Sequence, residues 1–173
     1  MNSDIIFQKM ENRVDLDMQE GDIALFNALS LQFEYLTKIV VSGVIACLKD
    51  DPNRHKYNLE HRLVRANAIG DWADALNTAL IGSAAQFFKP KAREIVRDFT
   101  ERVDNSDWRF QVVDQMQKVA KALTIKVDGI GEKTSLRQYF TLGSTVRNKS
   151  RGHRAPTATQ CNAASVPAKR AIE

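Results

Sequence analysis

Residues 22–49 read DIALFNALSLQFEYLTKIVVSGVIACLK, and this stretch decides the fold class of the chain. Its apolar side chains recur every three or four positions, which is the spacing of one face of an α-helix. The positions are Ile23, Phe26, Leu29, Phe33, Leu36, Val40, Val44 and Leu48. The segment 49–53, KDDPN, ends the pattern, because proline cannot continue a helix and Asp and Asn favour turns. The sequence therefore predicts a long first helix followed by a helix hairpin.

Four more helices are predicted after this turn. Asn58 is a candidate N-cap for a helix that runs to about Ile81, and Pro90 fits the first turn of a third helix. Ser106 is a candidate cap for a fourth helix, and Thr134 or Ser135 for a fifth. With only 8 Gly and 4 Pro among 173 residues, a loop-rich β architecture is disfavoured. The predicted fold is an all-α bundle of about five helices.

Three segments follow from this pattern. Residues 1–20 are weakly periodic and are expected to form a loose arm or a short helix. Residues 21–160 are expected to form the bundle, and residues 161–173 a tail or a truncated last helix. The chain has the length of one domain.

The composition points to a cytoplasmic protein without a metal centre. Cys47 and Cys161 stand apart, with no CxxC pair and no nearby His, so we expect neither a disulfide framework nor a zinc site, and no cofactor. No run approaches the roughly 20 apolar residues of a membrane span, and the N-terminus lacks a basic region followed by an apolar one. We therefore expect no association with a membrane.

Positive charge is concentrated near the C-terminus. Residues 129–173 hold 8 Lys or Arg and 2 Asp or Glu, whereas residues 1–128 hold 17 and 19. From Lys133 to Arg154 there are six Lys or Arg and no acid. Such a segment attracts polyanions, although a solvated basic face is the plainer interpretation.

The segment 146–153, VRNKSRGH, lies within this basic run and combines a permanent cation, Arg147, with a proton-transfer group, His153. Metal-free RNA cleavage needs a base for the 2′-hydroxyl, an acid for the leaving oxygen and a cation for the phosphorane. Arg147 continues the inward face of the fifth helix, where a charge is costly unless it is paired or lines a wet cleft, and this indicates a groove at that helix end. One His cannot readily be both base and acid, so this chemistry favours a symmetric homodimer. The spacing alone is weak evidence, since Arg54 and His61 share it.

The segment resembles the motif of the HEPN superfamily, helical bundles whose nuclease members carry Arg-x(4 to 6)-His with a polar residue after the Arg. LVRANAIGDW at 63–72 and RNKSRGHRAP at 147–156 resemble a branch whose domain heads longer proteins. The resemblance implies a metal-independent endoribonuclease in a toxin system, antiviral defence, a stress response or RNA processing, acting as a homodimer, with a possible fused or separate effector or antitoxin partner. It implies that the catalytic residues are Arg147, Asn148 and His153. The candidate RNA contacts are the polar residues around the motif, because such side chains can hold phosphates: Lys149, Ser150, Arg151 and Arg154.

Two other functions remain open. The chain is alternatively a non-catalytic HEPN-like module for dimerisation or ligand sensing within a larger multidomain protein, or a nucleic-acid binder that uses only its basic patch. On the plainer interpretation, Arg147 is a buried residue bonded to helix-end carbonyls and His153 interacts with the helix dipole. Asp71, in the second helix, is a further candidate partner for a motif Arg.

Overall fold

The fold is entirely helical over residues 3–152 and 155–172, which are the residues that the structure, a computed structural model, describes. Two short 3-10 helices, Ser83–Phe87 and Pro90–Ala92, accompany eight α-helices, and these ranges contain no β-strand. The helices are α1 Ser3–Glu20, α2 Asp22–Ala46, α3 His55–Val64, α4 Ile69–Ile81, α5 Arg93–Thr100, α6 Trp108–Ala122, α7 Arg137–Gly152 and α8 Ala158–Ile172. The all-α prediction is confirmed, but the predicted count of about five helices is too low.

The predicted second helix is two helices. It begins at His55 rather than at Asn58, and it is interrupted between Val64 and Ile69. The Asp71 carboxylate accepts hydrogen bonds from the backbone N–H groups of Asn67 and Ala68, at 2.9 and 3.0 Å, and so caps the start of α4. These bonds hold the pKa of the Asp71 carboxyl below its usual value.

Both ends of the described chain are helical. Residues 1–20, predicted as an arm or a short helix, contain the 18-residue helix α1, which packs against α2. The predicted boundary at residue 160 falls inside α8, which packs mainly against α2 and α6. The side chains that α8 buries are small, so its backbone can lie close to both neighbours; they include Cys161, Ala164 and Ala168.

Helix α2 lies at the centre of the bundle. It packs mainly against α1, α4 and α8, and it buries the predicted positions Phe26, Leu29, Phe33 and Val44. By length and hydropathy alone α2 could cross a membrane. The core helix of a soluble protein passes the same test, and 39% of the apolar window of α2 is buried inside the fold.

Candidate functional site

Helices α2 and α7 approach each other closely at Gly143. A Cβ atom added to Gly143 would lie 2.3 Å from Cζ and 2.4 Å from Cε2 of Phe33, far inside van der Waals contact. Only glycine therefore allows the Phe33 ring to lie against the α7 backbone. Phe140 on the same face of α7 is also buried, as the sequence predicts. This contact sets the distance between the two helices one turn before Arg147.

Arg147 forms an ion pair with Glu34 on α2. The Nε group of Arg147 donates a hydrogen bond to Oε1 of Glu34. The two side chains are 25% and 13% exposed, so the pair is largely shielded from water. Among the described residues, the terminal Nη1 and Nη2 groups of Arg147 have no hydrogen-bond partner. Glu34 thus fixes one edge of the guanidinium, while the N–H groups of Nη1 and Nη2 make no hydrogen bond to the described residues.

Sequence reasoning did not identify Glu34, which lies 113 positions from Arg147. One signal was present: Glu34 is the single acidic residue in the stretch 23–49. A lone acid in a core helix requires a partner, because an unpaired buried charge is costly. The pairing also corrects the plainer interpretation of Arg147, whose bond goes to a carboxylate on another helix rather than to helix-end carbonyls.

The residues after Arg147 point in different directions. The side-chain nitrogen Nδ2 of Asn148 lies 3.3 Å from the position of a Cβ on Gly70, at the start of α4. The ammonium of Lys149 donates to the backbone carbonyl of Lys126, at 3.2 Å, in the connection between α6 and α7. Successive helical residues are 100° apart, so Arg147 and Lys149 lie about 160° apart on α7. The structure therefore does not place these predicted residues in one cluster.

Of the remaining predicted residues, Ser150 is buried, and its hydroxyl donates to the backbone carbonyl of Arg147 at 3.1 Å. Arg151 is exposed. His153 and Arg154 lie outside the described residues, so the association of His153 with Arg147 stays a prediction. Asp71 is engaged in capping α4 and has no ion-pair partner among the motif residues that the structure describes.

Two cavities of unequal size adjoin α7 near the motif. On one side of the helix, Arg147 and core side chains such as Phe33 and Met116 line a cavity of about 30 Å³, which is too small for a nucleotide. On the other side, an open cavity of about 440 Å³ is lined by residues that include Lys149 and Ser150. A substrate would therefore reach Arg147 from the surface rather than from a deep pocket.

The second Arg and His pair has a local role. Arg54 adopts a left-handed backbone conformation with φ of 57°, and its guanidinium lies 5.3 Å from the centre of the Tyr57 ring. The His61 ring stacks on the same Tyr57. These contacts all belong to α3 and its first turn, as a surface role requires.

Residues that could hold a metal are not grouped in the part of the chain that the structure describes, where no three His, Cys, Asp or Glu side chains come together. Cys161 is a buried free thiol, and Cys47 is a half-buried one. Burial is the main cause of a raised pKa for the Cys161 thiol, to which the charge of Asp22 also contributes. A thiol in that environment is a poor nucleophile.

Comparison of the whole chain with models of protein families, with curated proteins and with solved structures finds no match in any of the three.

Proposed function

We propose that this chain is a HEPN-like, metal-independent endoribonuclease that acts as a cytoplasmic homodimer, in a toxin, antiviral-defence or stress-response setting. The observation that supports the proposal is the ion pair with Glu34, which fixes the orientation of the Arg147 guanidinium. Glu34 holds this guanidinium by Nε, so Nη1 and Nη2 keep a fixed orientation and stay available for a phosphate. A planar fork of this kind matches two phosphate oxygens.

In the proposed reaction the ribose 2′-oxygen attacks the adjacent phosphorus while His153 takes its proton. The bond from phosphorus to the 5′-oxygen breaks, and that oxygen receives a proton from a second acid. The products are a 2′,3′-cyclic phosphate and a free 5′-hydroxyl. Arg147 stabilises the negative charge of the phosphorane, and the His153 of a second copy supplies the acid.

An exposed apolar stripe on α2 supports the homodimer. Leu31, Tyr35 and Ile39 follow one another at four-residue spacing and are 41%, 52% and 42% exposed. Glu34 lies beside this stripe in sequence and on the helix surface, one residue before Tyr35. A two-fold contact through the stripe would bury it and bring the two Arg147 sites toward each other.

The test is cleavage of a mixed pool of single-stranded RNA in the presence of EDTA. We expect the wild-type protein to produce 2′,3′-cyclic phosphate ends and His153→Ala to produce none, with unchanged helix content by circular dichroism. Arg147→Ala would leave the Glu34 carboxylate without its partner and could unfold the protein. The double variant Glu34→Gln, Arg147→Gln removes both charges, so it tests the loss of Arg147 in a folded protein. Full activity of His153→Ala, or of the folded double variant, contradicts the proposal.

The second candidate is a non-catalytic module for dimerisation or ligand sensing, possessing the same fold. It is favoured by the ion pair itself, because a structural bond to Glu34 is a sufficient reason for Arg147 to be where it is. A stable dimer in analytical ultracentrifugation, together with no cleavage of any RNA in the pool, would support this candidate over the nuclease.

A further inference from the structure

A polar surface runs along the side of α7 that faces away from Arg147. Arg137, Thr141, Thr145 and Lys149 are spaced four residues apart, so they lie on one side of the helix over three turns, about 18 Å. Lys126, in the connection between α6 and α7, lies beside this face. We refer to these five residues as the α7 groove.

Two open cavities meet along the groove. One, of about 450 Å³, is lined by the first three of the α7 residues, and the other, of about 440 Å³, by Lys149. Lys126 lines both cavities, so they adjoin at this residue. The combined space is long and open at the surface, which suits a chain molecule better than a compact ligand.

The cations of the groove are held in place by neutral partners. The Arg137 guanidinium donates to Oδ1 of Asn77, at 3.2 Å, and the Lys149 ammonium donates to the Lys126 backbone carbonyl, at 3.2 Å. Neither bond neutralises a charge. Asp128 is the single acid among the residues that line the two cavities. The surface therefore keeps a net positive charge along its length.

The floor of the groove is apolar. Val127, Ile130 and Leu142 line the first cavity and are half-buried. A row of cations beside an apolar floor suits single-stranded nucleic acid, because the cations contact the phosphates and the apolar side chains contact the bases. The groove follows one helix over about 18 Å, whereas recognition of a duplex spans two minor grooves.

The geometry points to the α7 groove as a binding track for single-stranded RNA, which extends the substrate site beyond the motif. This inference rests on the proposed function for the identity of the ligand. RNA bound along α7 passes Lys149 and reaches the C-terminal end of the helix, where the motif lies. The groove thereby selects unpaired RNA, and Arg147 and His153 act on the segment that leaves it.

The experiment measures binding rather than cleavage. A fluorescein-labelled single-stranded RNA oligonucleotide of mixed sequence is titrated into the His153→Ala protein, so that the RNA stays intact, and anisotropy is recorded at several salt concentrations. Adding the substitution Lys126→Glu should raise the Kd for the RNA about tenfold. It should also reduce, by about 0.7, the magnitude of the slope of log K against log salt concentration. The Lys126 carbonyl that holds Lys149 is unaffected by this change.

Two further variants control for net charge and for folding. Lys91→Glu makes the same change in charge at an exposed residue that does not line the groove, and it should weaken binding no more than about threefold. Thr145→Arg adds a cation in the middle of the groove and should tighten binding, a result that misfolding cannot produce. Equal effects of Lys126→Glu and Lys91→Glu, no tightening by Thr145→Arg, or a preference for duplex RNA overturns the inference.

Failure of the groove and failure of the nuclease give different results. If the protein binds single-stranded RNA through the α7 groove but never cleaves it, the binding track is supported and the proposed nuclease function is contradicted. If the protein cleaves RNA but neither Lys126→Glu nor Thr145→Arg changes its affinity for RNA, the nuclease function is supported and the binding track is contradicted. A His153→Ala protein that binds no single-stranded RNA contradicts the groove.

Discussion

Replacement of Gly143 by alanine tests the contact that positions Arg147. The new Cβ would lie 2.3 Å from the Phe33 ring, whereas ordinary contacts begin near 3.4 Å, so α2 and α7 must separate by about 1 Å or the ring must leave its position. Overpacking of this kind costs about 1–3 kcal/mol. Alanine returns about 1 kcal/mol through its better helix propensity. The net loss is about 0–2 kcal/mol, which lowers Tm by up to about 8 °C for a chain of this size.

Gly43 provides the matched control, because it is also a helical glycine but faces open space. A Cβ on Gly43 meets no atom within 4 Å, so Gly43→Ala should stabilise the protein by about 0.5–1 kcal/mol. Thermal unfolding followed by circular dichroism measures both variants. A Gly143→Ala protein that is stabilised as much as Gly43→Ala would refute the close approach of the two helices.

Three further predictions concern the ion pair, a buried hydroxyl and acid stability. Glu34→Gln and Arg147→Met should each lower the free energy of unfolding, measured in urea, by about 1–3 kcal/mol. The double variant should lose at least about 1 kcal/mol less than the sum of the two single losses, and strict additivity would show that the pair is not coupled. The hydroxyl of Tyr139 is buried without a hydrogen-bond partner among the described residues. Tyr139→Phe should therefore be neutral or stabilise the protein by about 1 kcal/mol, and a clear loss of stability would reveal a hydrogen bond to that oxygen. Burial raises the pKa of the Asp51 carboxyl, but the hydrogen bonds and charge of His55 and the hydrogen bond from the Asn53 backbone together lower it by more, so the folded-state pKa lies below the usual value. This contribution to stability is present above about pH 4 and is lost as the pH falls through the folded-state pKa, so Asp51→Asn should flatten the acid side of the stability profile, and an unchanged acid side would contradict this.

The sequence predicted the elements whose apolar spacing is regular. The stripe on α2 predicted the helix and most of its buried face, although Ile23 is 49% exposed, and the inward face of α7 was predicted from Phe140 and Gly143. The break before α4 was missed because apolar spacing continues across it, while the cause is a side-chain cap by Asp71. The low helix count came from this break and from the two ends of the chain, because residues 1–20 are weakly periodic and Pro167 indicates a short last segment although it lies inside α8.

The surroundings of Arg147 were predicted in part, while the roles of the motif residues stay predictions. An inward Arg147 implied a partner or a wet cleft, and the structure supplies a partner, Glu34, on a helix that is distant in sequence. Such a contact depends on how two helices pack, which periodicity along one helix does not encode. The divergence of Asn148 and Lys149 follows from helical geometry, because consecutive residues of a helix lie 100° apart and a basic run in sequence is therefore not one surface. The role of His153, which lies outside the described residues, stays a prediction.

The central claim is that Arg147 and His153 cleave RNA without a metal ion. The most direct measurement is the chemistry of the RNA ends after incubation with the purified protein in EDTA, read by mass spectrometry. The account predicts 2′,3′-cyclic phosphate and 5′-hydroxyl ends from the wild-type protein and intact RNA from His153→Ala. Intact RNA from the wild-type protein across the substrate pool, or the same cleaved ends from His153→Ala, would contradict it.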